Sequence, residues 1–290
     1  MLSLALLKLQ RQLDRITSLR LDERQGRIRA ETTTVGGASA SENGFTFFSI
    51  GHVESVYSKR SGTPRQPGLV SSAQSRIVLT GELKQALIGL EEFSHVWVLF
   101  LFNQNTNISK RLKARKPFDG LKLLVEPPKS KGAKVGVLSC RTPHRPNPIG
   151  LSLCRIISVD PNGSAITVAG LDCLDATPVV DLKPYLPIVE AVESAKAPAW
   201  IYQGVDEDRE VTLAWACPRR IADKETAEEE LQTLQVIEEV LSRDIRSGHQ
   251  IRMGNELIGT DWEGEVVVAG IVVRYSVSRD KLVKILSLHR

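Results

Sequence analysis

Over residues 1–33 apolar side chains recur at three- and four-residue steps, Leu2, Leu6, Leu9, Leu13, Ile16 and Leu19, with Lys8, Arg11, Arg15 and Arg20 between them. That period predicts an amphipathic helix. The Thr32-Thr33-Thr34 and Gly36-Gly37-Ala38-Ser39 stretches have linker composition, so residues 1–40 read as a helical extension outside the main core. An Arg-rich amphipathic helix also fits an organelle-targeting segment, against which Asp14, Asp22 and Glu23 argue.

From Phe45 the pattern changes to short β-rich runs separated by turn residues. They are Phe45 to Tyr57, Arg76 to Thr80, His95 to Phe102, Leu121 to Glu126, Val135 to Ser139, Leu151 to Val159 and Ala165 to Ala169. One helix, Glu82 to Leu90, interrupts them. Pro161-Asn162-Gly163 marks a hairpin, and many short strands at this spacing predict a closed or nearly closed antiparallel barrel over residues 41–198. After Pro198 a strand (Val211 to Ala216) precedes an amphipathic helix, Lys224 to Arg243, with Ala227, Leu231, Leu234, Ile237, Val240 and Leu241 on one face. Strands near Glu265 to Val273 and Leu282 to Leu286 complete a small α+β unit over 199–290. The expected class is mainly β.

Composition narrows the functions open to such a chain. No run of 18 apolar residues occurs, so no membrane span is expected, and the opening Met1–Leu7 run is too short for a secretory signal with a cleavage site. Cys140, Cys154, Cys173 and Cys217 form no CxxC pair, which points to reduced thiols in an intracellular compartment; the cytoplasm is the expected location, with organelle targeting by the N-terminal helix as the alternative. The five histidines lack metal-binding spacing, so no metal site is expected. Neither a GxGxxG fingerprint nor a P-loop nor a GxSxG elbow is present. The net charge of +4 is unevenly spread: residues 110–134 carry nine basic and two acidic side chains, a local +7. Lys110, Arg111, Lys113, Arg115 and Lys116 lead that run, the pattern of a polyanion track, although a solvated loop kept basic for solubility has the same composition.

The densest chemistry lies in Arg141-Thr142-Pro143-His144-Arg145-Pro146-Asn147-Pro148-Ile149-Gly150. Three prolines fix φ and drive the preceding residues to extended backbone, so neither helix nor central strand can run through it. On this stiff loop Arg141 and Arg145 present guanidinium forks, His144 can donate or accept, and Asn147 can bond an amide or base edge. Three further polar clusters interrupt the strands: Gly62-Thr63-Pro64-Arg65-Gln66-Pro67-Gly68, Phe102-Asn103-Gln104-Asn105, and Leu171 to Pro178 followed by Asp181-Leu182-Lys183-Pro184-Tyr185. Turn chemistry alone accounts for each one singly; four such loops converging at one barrel rim would form a binding site.

GTPRQ at 62–66, EEFSHVWVLFLF at 91–102, RTPHRPNPIGLSL at 141–153 and DATPVVDLKPY at 175–185 closely resemble the TrmO family of S-adenosylmethionine-dependent tRNA methyltransferases, strongly over residues 45–200 and more loosely beyond. The resemblance implies a β-barrel methyltransferase that methylates N6 of threonylcarbamoyladenosine, next to the anticodon of threonine tRNA, and acts as a homodimer. Carried over by motif, Pro64, Arg65, Gln66, Asn103, Gln104, Arg141, Leu151, Leu174, Asp175, Ala176 and Thr177 would contact S-adenosylmethionine. Arg145, Asn147 and the basic run Lys110, Arg111, Lys113, Arg115 and Lys116 would face the tRNA. His144, Asp181 and Tyr185 are the candidates for a general base. The sequence departs from the family at Asn103, often histidine there, at Ala176, often glycine, and at Asp244-Ile245-Arg246-Ser247 in place of an Asp-Pro-Arg-Pro turn. A non-catalytic RNA-binding or S-adenosylmethionine-sensing module, and a methyltransferase for another acceptor, are the alternative readings.

Overall fold

The computed structural model describes residues 47–83, 85–104, 121–127, 130, 132–202, 211–221, 226–242 and 261–289. The expected helix over 1–33 and the Asp244–Ser247 turn lie outside them. Among the described residues no helix is long and apolar enough to cross a membrane.

Six strands form the first sheet: β1 (Gly51–Glu54), β2 (Gln74–Leu79), β3 (His95–Leu101), β6 (Ile149–Val159), β7 (Ala165–Ala169) and β8 (Pro178–Pro184). Every pairing is antiparallel, and the order β1-β2-β7-β6-β3-β8 closes because β1 also pairs with β8. Alternation selects the inward face. Val96, Val98 and Phe100 of β3 are buried while His95, Trp97, Leu99 and Leu101 lie half-exposed on the outer face. Val53, Ile77, Leu79, Cys154, Ile166, Val168, Leu171, Cys173 and Val179 fill the rest of the interior. β6 pairs with β3 over Ile149–Arg155 and with β7 over Arg155–Val159, with a register shift between Ile156 and Ser158 in the second pairing.

Sequence pattern and structure part company at several places. The helix expected from Glu82 to Leu90 is instead a chain of three-residue turns: Leu83, Ile88 and Leu90 donate to Thr80, Gln85 and Leu87, and Gly89 takes φ +87°. Gly89, the last residue but one of the run, takes a left-handed conformation through which an α-helix does not continue, and so short a segment gains little from helix propagation. The expected strands at 121–126 and 135–139 shrink to β4 (Leu124–Val125) and β5 (Val135–Gly136), which among the described residues pair only with each other. The polar stretch from Pro178 is strand β8, with its prolines at the two ends, where a missing N–H costs little. The single run expected at 265–273 is a hairpin, β10 (Trp262–Val268) and β11 (Ile271–Val277), turned by Ala269 and Gly270 at φ +50° and +76°.

Short helical turns α1 (Pro187–Glu190) and α2 (Ala199–Tyr202) follow the barrel. A second sheet has the order β10-β11-β12-β9, with β12 at Leu282–His289 and β9 at Thr212–Trp215, the last pair parallel. Helix α3 (Ala227–Leu241) covers it. Its N-cap Thr226 accepts from the Glu229 N–H at 3.1 Å, and Glu228, Glu229 and Glu230 complement the positive end of the helix. The buried face is Thr233, Leu234, Val236, Ile237, Val240 and Leu241, which turns Leu231, expected inside, out to solvent.

Residues 48–290 form one compact unit. The core between α3 and the second sheet also contains Tyr57, Val70, Ala73 and Leu174 from the barrel connections. Gly62 lies against Val266 so closely that an added Cβ would stand 2.0 Å from the valine Cγ2, and the Ala269 N–H donates to the Val56 carbonyl at 2.8 Å.

Candidate functional site

Strand direction decides where the polar clusters emerge. Because the strands alternate around the barrel, the β1–β2 connection (55–73), the β3–β6 connection (102–148) and the β7–β8 connection (170–177) all leave from the same rim. These three connections carry all four clusters read from the sequence except Asp181 to Tyr185. The opposite rim receives residues 80–94, the 160–164 turn and the exit from β8.

Hydrogen bonds cross-link the first rim. The Arg141 Nη1 donates to the Gln66 Oε1 at 3.4 Å, joining the proline segment to the 62–68 loop. The Arg60 Nη2 donates to the Gln104 carbonyl at 2.8 Å, and the Gln104 Nε2 donates to the Asp175 carbonyl at 3.3 Å. The Asp175 Oδ1 accepts from the Ser55 N–H at 2.9 Å, and the Asp175 N–H donates to the Tyr57 carbonyl at 2.8 Å. The Leu174–Thr177 turn closes on itself, since both the Thr177 N–H and its Oγ1 donate to the Leu174 carbonyl. Ala176 in that turn sits at φ +58°, a left-handed conformation suited to glycine.

Gln66, Asn103, Gln104, Arg141, Asp175 and Ala176 are exposed on this rim; Pro64 is half-buried and Arg65 exposed beside Gln66. Leu151 stands on the outer face of β6, three residues into that strand and 49% exposed, while Leu174 is buried beneath the turn. His144 and Asn147 are exposed on the proline segment. The Arg145 Nη1 bonds the Cys140 carbonyl at 3.0 Å, and the Ile149 N–H bonds the Asn147 carbonyl at 2.7 Å.

Two candidates stand apart from this group. Asp181 lies on the outer face of β8 opposite Leu99 and pairs with Lys183 at 2.7 Å, both side chains exposed. Tyr185 is at the far rim, its ring edge-on to Trp97 at 6.0 Å and to His95 at 6.3 Å. The length of β3, roughly 20 Å, separates it from Asn103. Lys110, Arg111, Lys113, Arg115 and Lys116 lie outside the described residues. Among those described, no cluster of three or more His, Cys, Asp and Glu could hold a metal ion.

The rim also contains residues that the sequence did not single out. Arg60 carried no local signal beyond a basic loop. Asp172 was visible only as one acid in the 171–178 cluster, yet its Oδ1 accepts from the Ser152 Oγ at 2.5 Å, and Ser152 is 1% exposed. Burial pushes the Asp172 carboxyl above its ordinary range, against the opposing pull of the Ser152 hydroxyl, its own N–H and the Arg141 charge.

A barrel without a nucleotide-binding fold, with its polar connections gathered at one mouth, defines a small class of proteins. Residues 52–191 match the family model described as tRNA-methyltransferase O N-terminal domain. A human tRNA (adenine(37)-N6)-methyltransferase is 39% identical over 153 residues, 51% of this chain and 32% of the relative. A probable S-adenosyl-L-methionine-binding protein of Methanothermobacter thermautotrophicus is 36% identical over 143 residues, 49% of this chain and 91% of its own length. The crystal structure of TrmO from Pseudomonas aeruginosa superposes with a TM-score of 0.59 at 27% identity, covering 86% of this chain and 100% of that one. The chain belongs to the TrmO family. It spans about a third of the length of the mammalian relatives it matches.

Proposed function

We propose that this protein transfers a methyl group from S-adenosylmethionine to N6 of adenosine in tRNA, at the position next to the anticodon. The observation that carries the reading is the convergence of three barrel connections at one rim, linked by the Arg141–Gln66 and Gln104–Asp175 bonds. The groups present fit the cofactor: a guanidinium for a carboxylate, amide edges of Gln66 and Gln104, the acceptor oxygens of Asp175 for hydroxyls, and Leu151 as an exposed apolar surface for a purine face.

When bound, the cofactor supplies an electrophilic methyl group on a sulfonium. The protein's task is then positioning, which holds acceptor and methyl in line and can lower the barrier by about 7–11 kcal/mol. The acceptor nitrogen is conjugated to the purine and its proton must leave as the bond forms, so a base assists. His144 sits on the same stiff segment as Arg141 and is the best placed of the three candidates in one protomer. Asp181 and Tyr185 would serve only across a subunit boundary.

The finer substrate in this reading is threonylcarbamoyladenosine in threonine tRNA. Arg145 would pair with the threonyl carboxylate, Asn147 with a base or amide edge, and the basic run from Lys110 with phosphates. A homodimer is part of the proposal: Ile149, Leu151, Leu186, Ile188, Val189 and Val192 leave large apolar side chains exposed, Ile188 to 92%. A cytoplasmic location goes with such a substrate.

The test is methylation of threonylcarbamoylated and stripped threonine tRNA by the purified chain and by Arg141→Ala. The modified tRNA alone should accept methyl, and the variant should lose activity with an unchanged circular dichroism spectrum. Full activity in the variant removes Arg141 from the site; cofactor binding without turnover on either tRNA supports a sensing module instead.

A further inference from the structure

The β1–β2 connection carries Pro64, Arg65 and Gln66 to the rim, and a segment of that length keeps one shape only where something holds it. Its underside is apolar: Tyr57, Val70 and Ala73 are buried in the core shared with α3 and the second sheet. Such packing is not directional, so it sets how deep the connection sits and not how it is turned. Two hydrogen-bonded ties supply the direction. In the first, the Gly68 N–H donates to the Gly170 carbonyl at 2.8 Å and the Gly170 N–H donates to the Ala73 carbonyl at 3.0 Å, which crosses the β1–β2 and β7–β8 connections backbone to backbone. The crossing is close, since a Cβ added to Gly170 would stand 3.1 Å from the Gly68 Cα.

The second tie comes from α3, 167 residues along the chain: the Ser72 N–H donates to the Glu239 Oε2 at 3.1 Å. The Glu239 Oε1 accepts from the Gln235 Nε2, one helical turn back, at 3.5 Å, so both carboxylate oxygens are engaged. It is the backbone of the connection that is gripped. The Ser72 hydroxyl, like that of Tyr57, is buried with no hydrogen-bond partner among the described residues. A carboxylate on a backbone N–H makes a charge-assisted bond, roughly twice as strong as a neutral one. Ser72 follows Gly68 in the same connection, and Gln66 accepts from Arg141, so this one bond from outside the barrel bears on the 62–68 loop and, through Gln66, on the proline segment. We propose that Glu239 is a positioning residue for the cofactor site: it fixes the turn of the 62–68 loop, and α3 thereby preorganises the binding of S-adenosylmethionine. The inference rests on the cofactor reading above.

Four variants of the full chain separate reach from charge, each followed by calorimetric titration with S-adenosylmethionine, by a thermal melt and by amide hydrogen exchange over residues 62–73. Glu239→Gln keeps the reach and an acceptor oxygen, and should bind within about threefold of the wild type. Glu239→Asp keeps the charge but is one methylene too short for the Ser72 N–H. It and Glu239→Ala should bind roughly tenfold more weakly, with faster exchange over 68–73. Glu238→Gln removes the neighbouring charge, which bonds Trp215 and Arg219 instead, and should leave the affinity unchanged whatever it does to the melting temperature. Full affinity in both Glu239→Asp and Glu239→Ala overturns the proposal, whether or not exchange quickens. An equal loss in Glu239→Gln overturns it as well, because charge and not reach is then what counts; an equal loss in Glu238→Gln does so by marking a general weakening of α3. Where Glu239→Ala does not fold, the contrast between Glu239→Asp and Glu239→Gln decides. A wild type that binds no cofactor overturns the cofactor reading itself, a failure distinct from all of these.

Discussion

Gln104 and Asp175, 71 residues apart in sequence, are joined by a bond from the Gln104 carboxamide to the Asp175 carbonyl at 3.3 Å, while the Gln104 carbonyl accepts from Arg60 at 2.8 Å. One residue at the end of β3 therefore ties the β1–β2 connection to the β7–β8 connection. Gln104→Ala removes the side-chain half of this tie and leaves the backbone half. S-Adenosylmethionine affinity should fall roughly two- to tenfold, the worth of one polar contact. Because the site is exposed, the melting temperature should hardly move; calorimetric titration and a thermal melt check the two outcomes separately.

Ala176 adopts φ +58° in the Leu174–Thr177 turn. An L-residue there carries a steric cost of about 1–2 kcal/mol that glycine avoids, offset in part by the extra chain entropy of glycine when unfolded. Ala176→Gly should raise the stability by a net fraction of a kcal/mol to about 1 kcal/mol, read from urea unfolding midpoints.

Gly150 closes the proline segment and enters β6 against the buried ring of Phe100, whose Cζ would stand 2.2 Å from an added Cβ. The ring has no room to retreat inside the packed barrel. Gly150→Ala should destabilise the protein by about 1–3 kcal/mol, and Phe100→Leu in the same chain should restore part of the loss. Independent, additive losses in the double variant would show that the ring is not what excludes the methyl group.

The thiols give a pH-dependent prediction. Burial, with a smaller contribution from Asp172, pushes the Cys154 thiol from 9.0 up to about 12. The unfolded thiol ionises at its ordinary value while the folded one stays protonated. Its contribution to stability is thus fully present below pH 9 and lost as pH rises from 9 towards 12. A thiol reagent at pH 8 should label only the half-buried Cys140 and Cys217 in the native protein and all four after denaturation. Rapid native labelling of Cys154 or Cys173 would contradict the closed interior.

The rim was legible in sequence where stiffness and donors coincide. Pro143, Pro146 and Pro148 announce an ordered loop, and the expectation that the polar loops could converge at one rim is consistent with Arg141 bonding Gln66 across two connections. Strand β8 was hidden because its solvent-facing Asp181 and Lys183 and its terminal prolines look like loop residues, although Val179 and Leu182 serve the barrel core. The β10–β11 turn was hidden because Ala269-Gly270 interrupts a valine-rich run by only two residues. Asp172 was invisible as a distinct group, since its meaning depends on Ser152, a strand neighbour in space and not in sequence. The far-rim position of Tyr185 depends on strand direction, which no local pattern encodes.

The contact of Gly62 with Val266, and the bond from Ala269 to Val56, set the 62–66 loop on the second sheet. Val266, far from any polar group of the rim, therefore has its bulk limited by a glycine at the edge of the 62–66 loop: the second sheet is the floor on which that loop is moulded.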